Sequence, residues 1–157
     1  MATSGFHLAY GDPDIRYIAQ TGSTADSFVA GDLVYLSSGL VTICDADTSI
    51  FGIAQAPCTG TALTLIPVSV ISPSQTWICE LDGAQTTANI GVSYGLTVGT
   101  GDSDVKTSET TNTTITVVDL DPRDGVTTAA GGRVYVRFVP GHLQTLKGSG
   151  TSVLGTT

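Results

Sequence analysis

The sequence contains few of the charged residues that helical proteins display on their surfaces. Lys and Glu together number only 4 of 157 residues, and all charged residues make up 13% of the chain, about half the usual share. Because exposed helix faces are usually built from such residues, this composition disfavours a helical bundle. The longest apolar stretch, residues 63–71, contains Pro67 and is too short to span a bilayer. We therefore expect neither a helical bundle nor a membrane-spanning segment.

Catalytic residues are also scarce. Histidine occurs only twice, at His7 and His142, and nucleophilic catalysis needs a base held rigidly beside the nucleophile. Both histidines lie in terminal segments that we expect to be extended. The cysteines, Cys44, Cys58 and Cys79, form no C-x-x-C pair, which is typical of buried thiols rather than of a disulfide framework. We predict that the protein is not an enzyme and uses no cofactor.

Positive charge is scarce and unevenly placed. The chain holds 14 acids and 6 bases, a net charge of −8. Residues 1–105 hold ten acids and a single base, Arg16, whereas residues 106–157 hold four acids and five bases. Nucleic acid and anionic membranes attract clustered Lys and Arg, so we expect neither as a partner. The first ten residues lack the basic and apolar regions of a signal peptide, so we expect the chain to stay in a cell or in a particle assembled there.

Acidic residues recur as Asp-x-Asp pairs, a pattern that can bind a metal ion. The pairs are at 12/14, 45/47, 102/104 and 119/121. The run from Asp119 to Gly125 resembles a calcium loop, but Asp124 comes one position late and no Glu closes the loop. Asp also favours turns, because its carboxylate accepts hydrogen bonds from nearby backbone groups. We therefore predict turns rather than a metal site at these aspartates.

β-branched residues dominate the sequence instead. Val, Ile and Thr account for 50 of the 157 residues, and there are 19 glycines; β-branched side chains suit pleated strands. Residues 37–39 predict a hairpin with Gly39 in the left-handed position, Pro67 predicts an edge strand or a bulge, and residues 82–90 are the one predicted helix. The predicted strands are residues 14–20, 32–36, 40–44, 49–55, 62–71, 75–81, 94–98, 113–120 and 133–139. This pattern indicates an all-β fold, a small barrel or sandwich of about eight short strands.

The same pattern divides the chain into three regions. Residues 28–140 form the predicted β core, and residues 1–27 and 141–157 form extended arms rich in Gly and polar residues. In the last strand, three polar residues alternate with apolar ones and are expected to form an exposed row, and Arg and Tyr are favoured in interfaces. The predicted interaction residues, from the arms and this row, are Phe6, Tyr10, Arg16, Tyr17, Arg133, Tyr135, Arg137, Leu143 and Leu146.

The order of turns and strands in residues 28–57 is similar to that of a known family. Gly31 and Asp32 begin a strand, Gly39 lies in a hairpin, and the chain returns through residues 51–54. Together with residues 88–94 and the closing apolar strand, this arrangement resembles the β-barrel decoration proteins of tailed bacteriophage heads, also called cement or stabilisation proteins. The resemblance extends over about residues 14–140.

This resemblance implies a structural virion protein, made in the host cytoplasm and located on the outer capsid surface. Proteins of this family bind the expanded shell and stabilise it. The implied partners are the major capsid protein of a phage head and neighbouring copies of the chain itself, which often form a trimer. The family offers no catalytic residues.

Two other classes of protein remain alternatives. A receptor-binding or tail-fibre module would also be rich in strands and Thr, but it usually shows repeats or a coiled stem, and neither is visible. A trimeric nucleotide pyrophosphohydrolase matches in length and strand content. That enzyme needs a hairpin bearing Asp and Tyr and an R-G-x-x-G-F-G tail. Here Gly39 is followed by Leu-Val-Thr, and the tail has neither Arg nor Phe.

Overall fold

Short strands make up most of the structure, as the abundance of β-branched residues predicts. The computed structural model describes residues 5–22, 27–46, 49–124 and 131–144. The helical elements of these residues are two 3₁₀ turns, Thr87–Asn89 and Pro140–His142. The eleven strands of the described residues are β1 (His7–Tyr10), β2 (Ile15–Ala19), β3 (Leu33–Ser37), β4 (Leu40–Ile43), β5 (Gly52–Ala54), β6 (Leu65–Val70), β7 (Thr76–Glu80), β8 (Ser93–Thr97), β9 (Asp104–Lys106), β10 (Ile115–Leu120) and β11 (Arg133–Phe138).

The strands form two antiparallel sheets. The six-stranded sheet has the order β1-β7-β11-β10-β8-β9, and the five-stranded sheet has the order β2-β6-β5-β3-β4. The prediction of an all-β fold is confirmed. Across the described residues the two sheets form a sandwich, and neither sheet is a closed barrel.

The main hydrophobic core lies between the sheets. Trp77 of β7 is fully buried and contacts Phe138 edge-on, with 6.4 Å between the ring centroids. Val134 of β11 enters this core from the six-stranded sheet, and Leu33 and Ile53 enter it from the five-stranded sheet. The alternation that the sequence predicts for β11 is therefore confirmed, because its apolar residues all face the second sheet.

A second, smaller core covers the opposite face of the five-stranded sheet. Its buried residues are Phe28, Val34, Val41, Phe51, Ala54, Ile66, Val68 and Val70. The sheet curls around them until its two edge strands approach each other, and Gln20, just beyond β2, forms a parallel bridge with Val41 of β4. The buried Gln20 side chain then holds the loop above this core, donating to Thr59 Oγ1 at 2.6 Å.

The hairpin between β3 and β4 has the geometry that its sequence predicts. Ser37 pairs with Leu40, so the turn consists of Ser38 and Gly39. Both have positive φ, 52° and 80°. This is the type I′ turn, which matches the right-handed twist of the flanking strands and favours glycine at its second position.

The structure corrects the prediction for Pro67. Its strand, β6, lies inside the five-stranded sheet between β2 and β5. The Pro67 carbonyl accepts from the Gln55 N–H at 2.9 Å, so the missing N–H of Pro67 points toward Gln55. Because β5 ends at Ala54, the proline removes a hydrogen bond only where the ladder is already ending. Neither an edge position nor a bulge is needed.

The structure also corrects the predicted N-terminal arm over residues 5–22. β1 pairs with β7 and β2 pairs with β6, so this segment supplies a strand to each sheet. Phe6 is 1% exposed and packs against Phe138, with 5.4 Å between the ring centroids. The apolar alternation of Phe6 and Leu8 is too short to identify a strand from the sequence, and its partner strand lies about seventy residues further along the chain.

The beginning of the predicted C-terminal arm is likewise part of the core. Leu143 is fully buried and forms a parallel bridge with Ile50. The Gln144 side chain donates to the Leu36 carbonyl and accepts from the Leu36 N–H, both at 2.8 Å. The Gln144 side-chain amide therefore pairs with the N–H and C=O of Leu36 as a neighbouring strand would. The remaining residues of that arm, including Leu146, lie outside the described residues.

Two further elements differ from expectation. The predicted helix at residues 82–90 is only the 3₁₀ turn Thr87–Asn89, because Thr is a poor helix former and the segment is short. The three-residue strand β9 is too short for its alternation to be visible in the sequence. No helix of the described residues has the length and hydropathy needed to cross a membrane.

Candidate functional site

The outer face of the six-stranded sheet carries the row of polar residues that the sequence predicts. Since Val134, Val136 and Phe138 of β11 point into the core, Arg133, Tyr135 and Arg137 project from the opposite face. β7 lies beside β11, and β1 lies beside β7; β7 adds Thr76 and β1 adds Tyr10. We call these five residues, Tyr10, Thr76, Arg133, Tyr135 and Arg137, the Tyr–Arg face.

Two tyrosines form the aromatic part of the Tyr–Arg face. The rings of Tyr10 and Tyr135 are tilted by 50°, with 5.7 Å between their centroids. β7 lies between their strands, so each ring reaches across it. Tyr10 is 63% exposed, while Tyr135 is half-buried beneath it. The pair presents a large amphipathic surface whose position is fixed by the sheet.

Arg137 is the arginine of this face that is available to a partner. Its Nε donates to Thr76 Oγ1 at 3.2 Å, which orients the guanidinium across β7. It forms no salt bridge with any described residue, and its side chain is exposed. The remaining guanidinium donors can therefore bind a carboxylate of another molecule.

The other arginines near this face are held by two aspartates that follow the end of β10. Arg133 binds both carboxylate oxygens of Asp124, each at 2.8 Å. Arg123 donates from Nη2 to Asp121 Oδ2 at 2.6 Å, and the Asp121 side chain is fully buried. Arg133 Nε also lies 3.7 Å from Asp121 Oδ2, which links the two pairs into one network.

These contacts shift the ionisation of the groups around the network. Hydrogen bonds from Arg133 lower the pKa of Asp124 to about 2, and those from Arg123 lower the pKa of Asp121. Opposite Arg133, burial raises the pKa of Glu80, and the Arg133 charge only partly offsets this. Burial and the Asp121 carboxylate raise the pKa of Tyr135. The network is thus ionised near neutral pH, while the tyrosine hydroxyl stays protonated.

Replacement of Asp124 by Asn is expected to lower stability by about 1 kcal/mol at pH 7, a value reduced for the partial exposure of the ion pair. The pKa of Asp124 is depressed in the folded state, from 3.8 to about 2. Its stabilising contribution is therefore present above about pH 4 and is lost as the pH falls toward 2. Thermal unfolding of both proteins as a function of pH should show the difference shrinking over that interval.

Asp45→Asn is the control for this substitution, because Asp45 is exposed in a turn. It should leave the melting temperature nearly unchanged at every pH. A difference between Asp124→Asn and the parent that stays constant down to pH 2 would contradict the assigned ion pair.

The structure separates the nine predicted interaction residues. It brings together Tyr10, Arg133, Tyr135 and Arg137. Arg16 and Tyr17 lie on β2 of the other sheet, where Arg16 Nη2 contacts Asp14 Oδ2 at 3.1 Å and Tyr17 is 66% exposed. Phe6 and Leu143 are buried in the core, so they cannot serve as external anchors while the fold is intact; Leu146 lies outside the described residues.

Several residues of this site were not identified from the sequence. At Asp121, Arg123 and Asp124 the sequence predicts only a turn, in a run that resembles a calcium loop, and the ion pairs are not part of that prediction. The signal that could have found them is the arginine placed between two acids, which offers those carboxylates a local cation. The Arg133–Asp124 pair has no such local signal, because it forms only once β10 and β11 lie side by side.

The cysteines and histidines of the described residues lie in different elements or loops of the structure. Cys44 and Cys79 are buried thiols, and burial raises the pKa of Cys79 well above its ordinary value. His7 is exposed on β1, and His142 Nδ1 lies 3.4 Å from Thr114 Oγ1. Within residues 5–22, 27–46, 49–124 and 131–144, no three His, Cys, Asp or Glu side chains are grouped so as to hold a metal ion.

No protein-family model matches this chain, and no curated protein sequence matches it. Chemically, the Tyr–Arg face offers two aromatic rings in tilted contact, tyrosine hydroxyls and one exposed guanidinium on a rigid sheet. These are groups that bind protein surfaces through apolar contact and charge-assisted hydrogen bonds.

Proposed function

We propose that this protein is a structural virion component that binds the outer surface of a phage capsid and stabilises the expanded shell. The observation that carries the proposal is the Tyr–Arg face, an exposed aromatic and cationic surface on the six-stranded sheet. The phage capsid as its partner comes from the resemblance of residues 28–57 to the decoration proteins. We further propose that the chain acts by binding and not by catalysis.

The chemistry of the Tyr–Arg face fits a protein partner. Tyr and Arg are the residue types that most often dominate binding energy at protein interfaces, where they lie in well-packed central patches. Tyr10 is 63% exposed yet positioned by its contact with Tyr135, so little side-chain freedom is lost when a partner covers it. Arg137 would bind a carboxylate at the edge of the same patch.

The acidic remainder of the protein is compatible with a repeated arrangement on a shell. A net charge of −8 favours solubility before assembly. Two of the four arginines of the chain belong to the Tyr–Arg face, and one of these, Arg137, forms no salt bridge with any described residue. A capsid surface that presents carboxylates would therefore select this face over the rest of the molecule.

Replacement of Arg137 by Glu is expected to reduce binding to capsids by tenfold or more, because it removes a charge-assisted contact and places a carboxylate against an acidic partner. Binding can be measured by co-sedimentation with expanded, undecorated heads assembled from the major capsid protein encoded in the same genome. Tyr10→Ala is expected to reduce binding similarly, through loss of apolar contact area.

Lys106→Glu on β9 is the matched control, because it makes the same charge change at an exposed strand residue away from the Tyr–Arg face. Leu63→Ala is the control for loss of an exposed apolar side chain, since Leu63 is 67% exposed. Failure of the parent protein to bind heads would overturn the proposal. Binding to tails instead would favour a receptor-binding module, and turnover of a nucleotide panel would favour an enzyme.

A further inference from the structure

β2 presents an open edge over its first half. The Asp14 carbonyl accepts from the Val70 N–H, and the Gln20 N–H donates to the Thr64 carbonyl, so the backbone groups of these residues point toward β6. Hydrogen-bonding direction alternates along an antiparallel strand. The N–H and C=O groups of Ile15 and Tyr17 therefore point away from β6, toward the outside of the sheet.

The opposite edge of the curled sheet does not cover this part of β2. The backbone pairing of β4 with this part of the chain lies beyond the end of β2, at the Gln20–Val41 bridge and at the hydrogen bond from the Thr21 N–H to the Val41 carbonyl. Ile15 and Tyr17 remain 45% and 66% exposed. Exposed edge strands with apolar side chains are surfaces on which another strand can add.

The side chains beside this edge extend the apolar surface onto β6. Tyr17 lies opposite Pro67, and Ala19 lies opposite Leu65, which is 59% exposed. These residues are on the face of the sheet that packs against the main core. Near β2 this face is no longer covered, and its side chains are exposed to solvent. A strand added at β2 would cover part of it.

The charges of β2 are complementary to the same strand running in the opposite direction. Asp14 and Arg16 flank Ile15; their side chains contact each other at 3.1 Å within one chain and are 48% and 62% exposed, so both remain accessible to a second copy. In an antiparallel pair centred on Ile15, each Asp14 lies directly opposite Arg16 of the other strand. The two copies of Ile15 then exchange two backbone hydrogen bonds, and each Tyr17 N–H faces a Pro13 carbonyl, which can accept although proline has no N–H to donate.

We propose that β2 pairs with β2 of a second copy of this chain about a twofold axis through Ile15, so that the two five-stranded sheets join edge to edge. The pair is held by four backbone hydrogen bonds, by the two Asp14–Arg16 contacts and by burial of Ile15 and Tyr17. This dimer does not depend on the proposed capsid function, because it forms between free copies in solution.

Other registers of the same pairing are less favourable. A shift that centres the pair on Arg16 places the two copies of Arg16 opposite each other, and like charges directly opposite are destabilising. A shift that centres it on Tyr17 places Ala19 in the pairing, close to the position where Gln20 and Thr21 already meet β4. The register centred on Ile15 avoids both problems.

The test reverses the charges that meet across the proposed axis. Self-association of the full chain is measured by sedimentation at low salt over a wide range of protein concentration. The parent protein is expected to form a dimer. Asp14→Arg and Arg16→Asp each replace both ion pairs with like-charge pairs, and each should raise the dimer dissociation constant about tenfold or more. The double variant Asp14→Arg/Arg16→Asp should restore the parent value.

A mixture of the two single variants gives a second, independent measurement. Each single variant repels itself, but the Asp14→Arg chain is complementary to the Arg16→Asp chain, so the mixture should form a heterodimer at the parent affinity. Lys106→Glu is the control and should leave the dimer unchanged. A parent protein that remains monomeric or forms another oligomer, or single reversals that dimerise as the parent does, would overturn the proposal.

Discussion

Replacement of Phe6 by Ala is expected to lower the free energy of unfolding by about 3–5 kcal/mol, the usual cost of removing a buried phenylalanine ring. Phe6 is 1% exposed and contacts Phe138 in the main core. Its N–H donates to the Gly31 carbonyl at 2.9 Å, so the backbone at this position is fixed as well. The loss should be visible as a lower midpoint in urea unfolding with little change in slope.

The neighbouring residue provides the control. His7 is exposed on the same strand, and His7→Ala should change stability by less than about 0.5 kcal/mol. A Phe6→Ala protein as stable as the parent would mean that this segment is an arm outside the fold, as the sequence alone predicted. Truncations designed to test capsid attachment should for the same reason leave residues 5–22 in place.

Replacement of Asp32 by Ala is expected to lower the free energy of unfolding by about 2–3 kcal/mol, because it removes the hydrogen bonds that a buried carboxylate accepts from the Val29 and Gly101 N–H groups. The Asp32 carboxylate is 1% exposed and accepts from the Val29 N–H at 2.9 Å and from the Gly101 N–H at 2.9 and 3.0 Å. It thus joins the loop before β3 to the loop between β8 and β9. Ser103, whose hydroxyl donates to the same carboxylate, extends this junction.

Chemical unfolding and amide exchange together can measure this effect. In addition to the lower free energy of unfolding, the Gly101 amide should exchange faster in Asp32→Ala than in the parent, because the Asp32 carboxylate that accepts its hydrogen bond is removed. Asp45→Ala is the control, because that aspartate is exposed in a turn. Unchanged stability in the Asp32 variant would show that another group accepts these hydrogen bonds.

Local patterns in the sequence predicted the elements whose geometry is decided locally. The alternation in β11 fixes which residues face the core, since successive side chains in a strand point to opposite faces. The turn at Gly39 is likewise set by two residues and their positive φ values. From these features the all-β class and the Tyr135–Arg137 part of the Tyr–Arg face could be predicted.

The remainder depends on contacts between distant parts of the chain. β1 is a strand because it pairs with β7, which lies about seventy residues later in the chain. Pro67 is tolerated inside a sheet because β5 ends beside it. Tyr10 joins the Tyr–Arg face only through that same pairing of β1. The sequence contains each of these residues but not the register that brings them together.

The short parallel pairing at the C-terminal end of the described chain also determines how the protein responds to tension. The Ile50 N–H donates to the His142 carbonyl at 2.9 Å, and the Gln144 N–H donates to the Ile50 carbonyl at 2.7 Å. These hydrogen bonds run between two parallel segments of chain. A pull along the chain beyond Gln144 therefore loads both bonds in shear at the same time, instead of breaking them one after the other. Force applied beyond Gln144 would therefore reach Ile50, and Leu36 of β3 through the Gln144 side chain, before it could peel away β11.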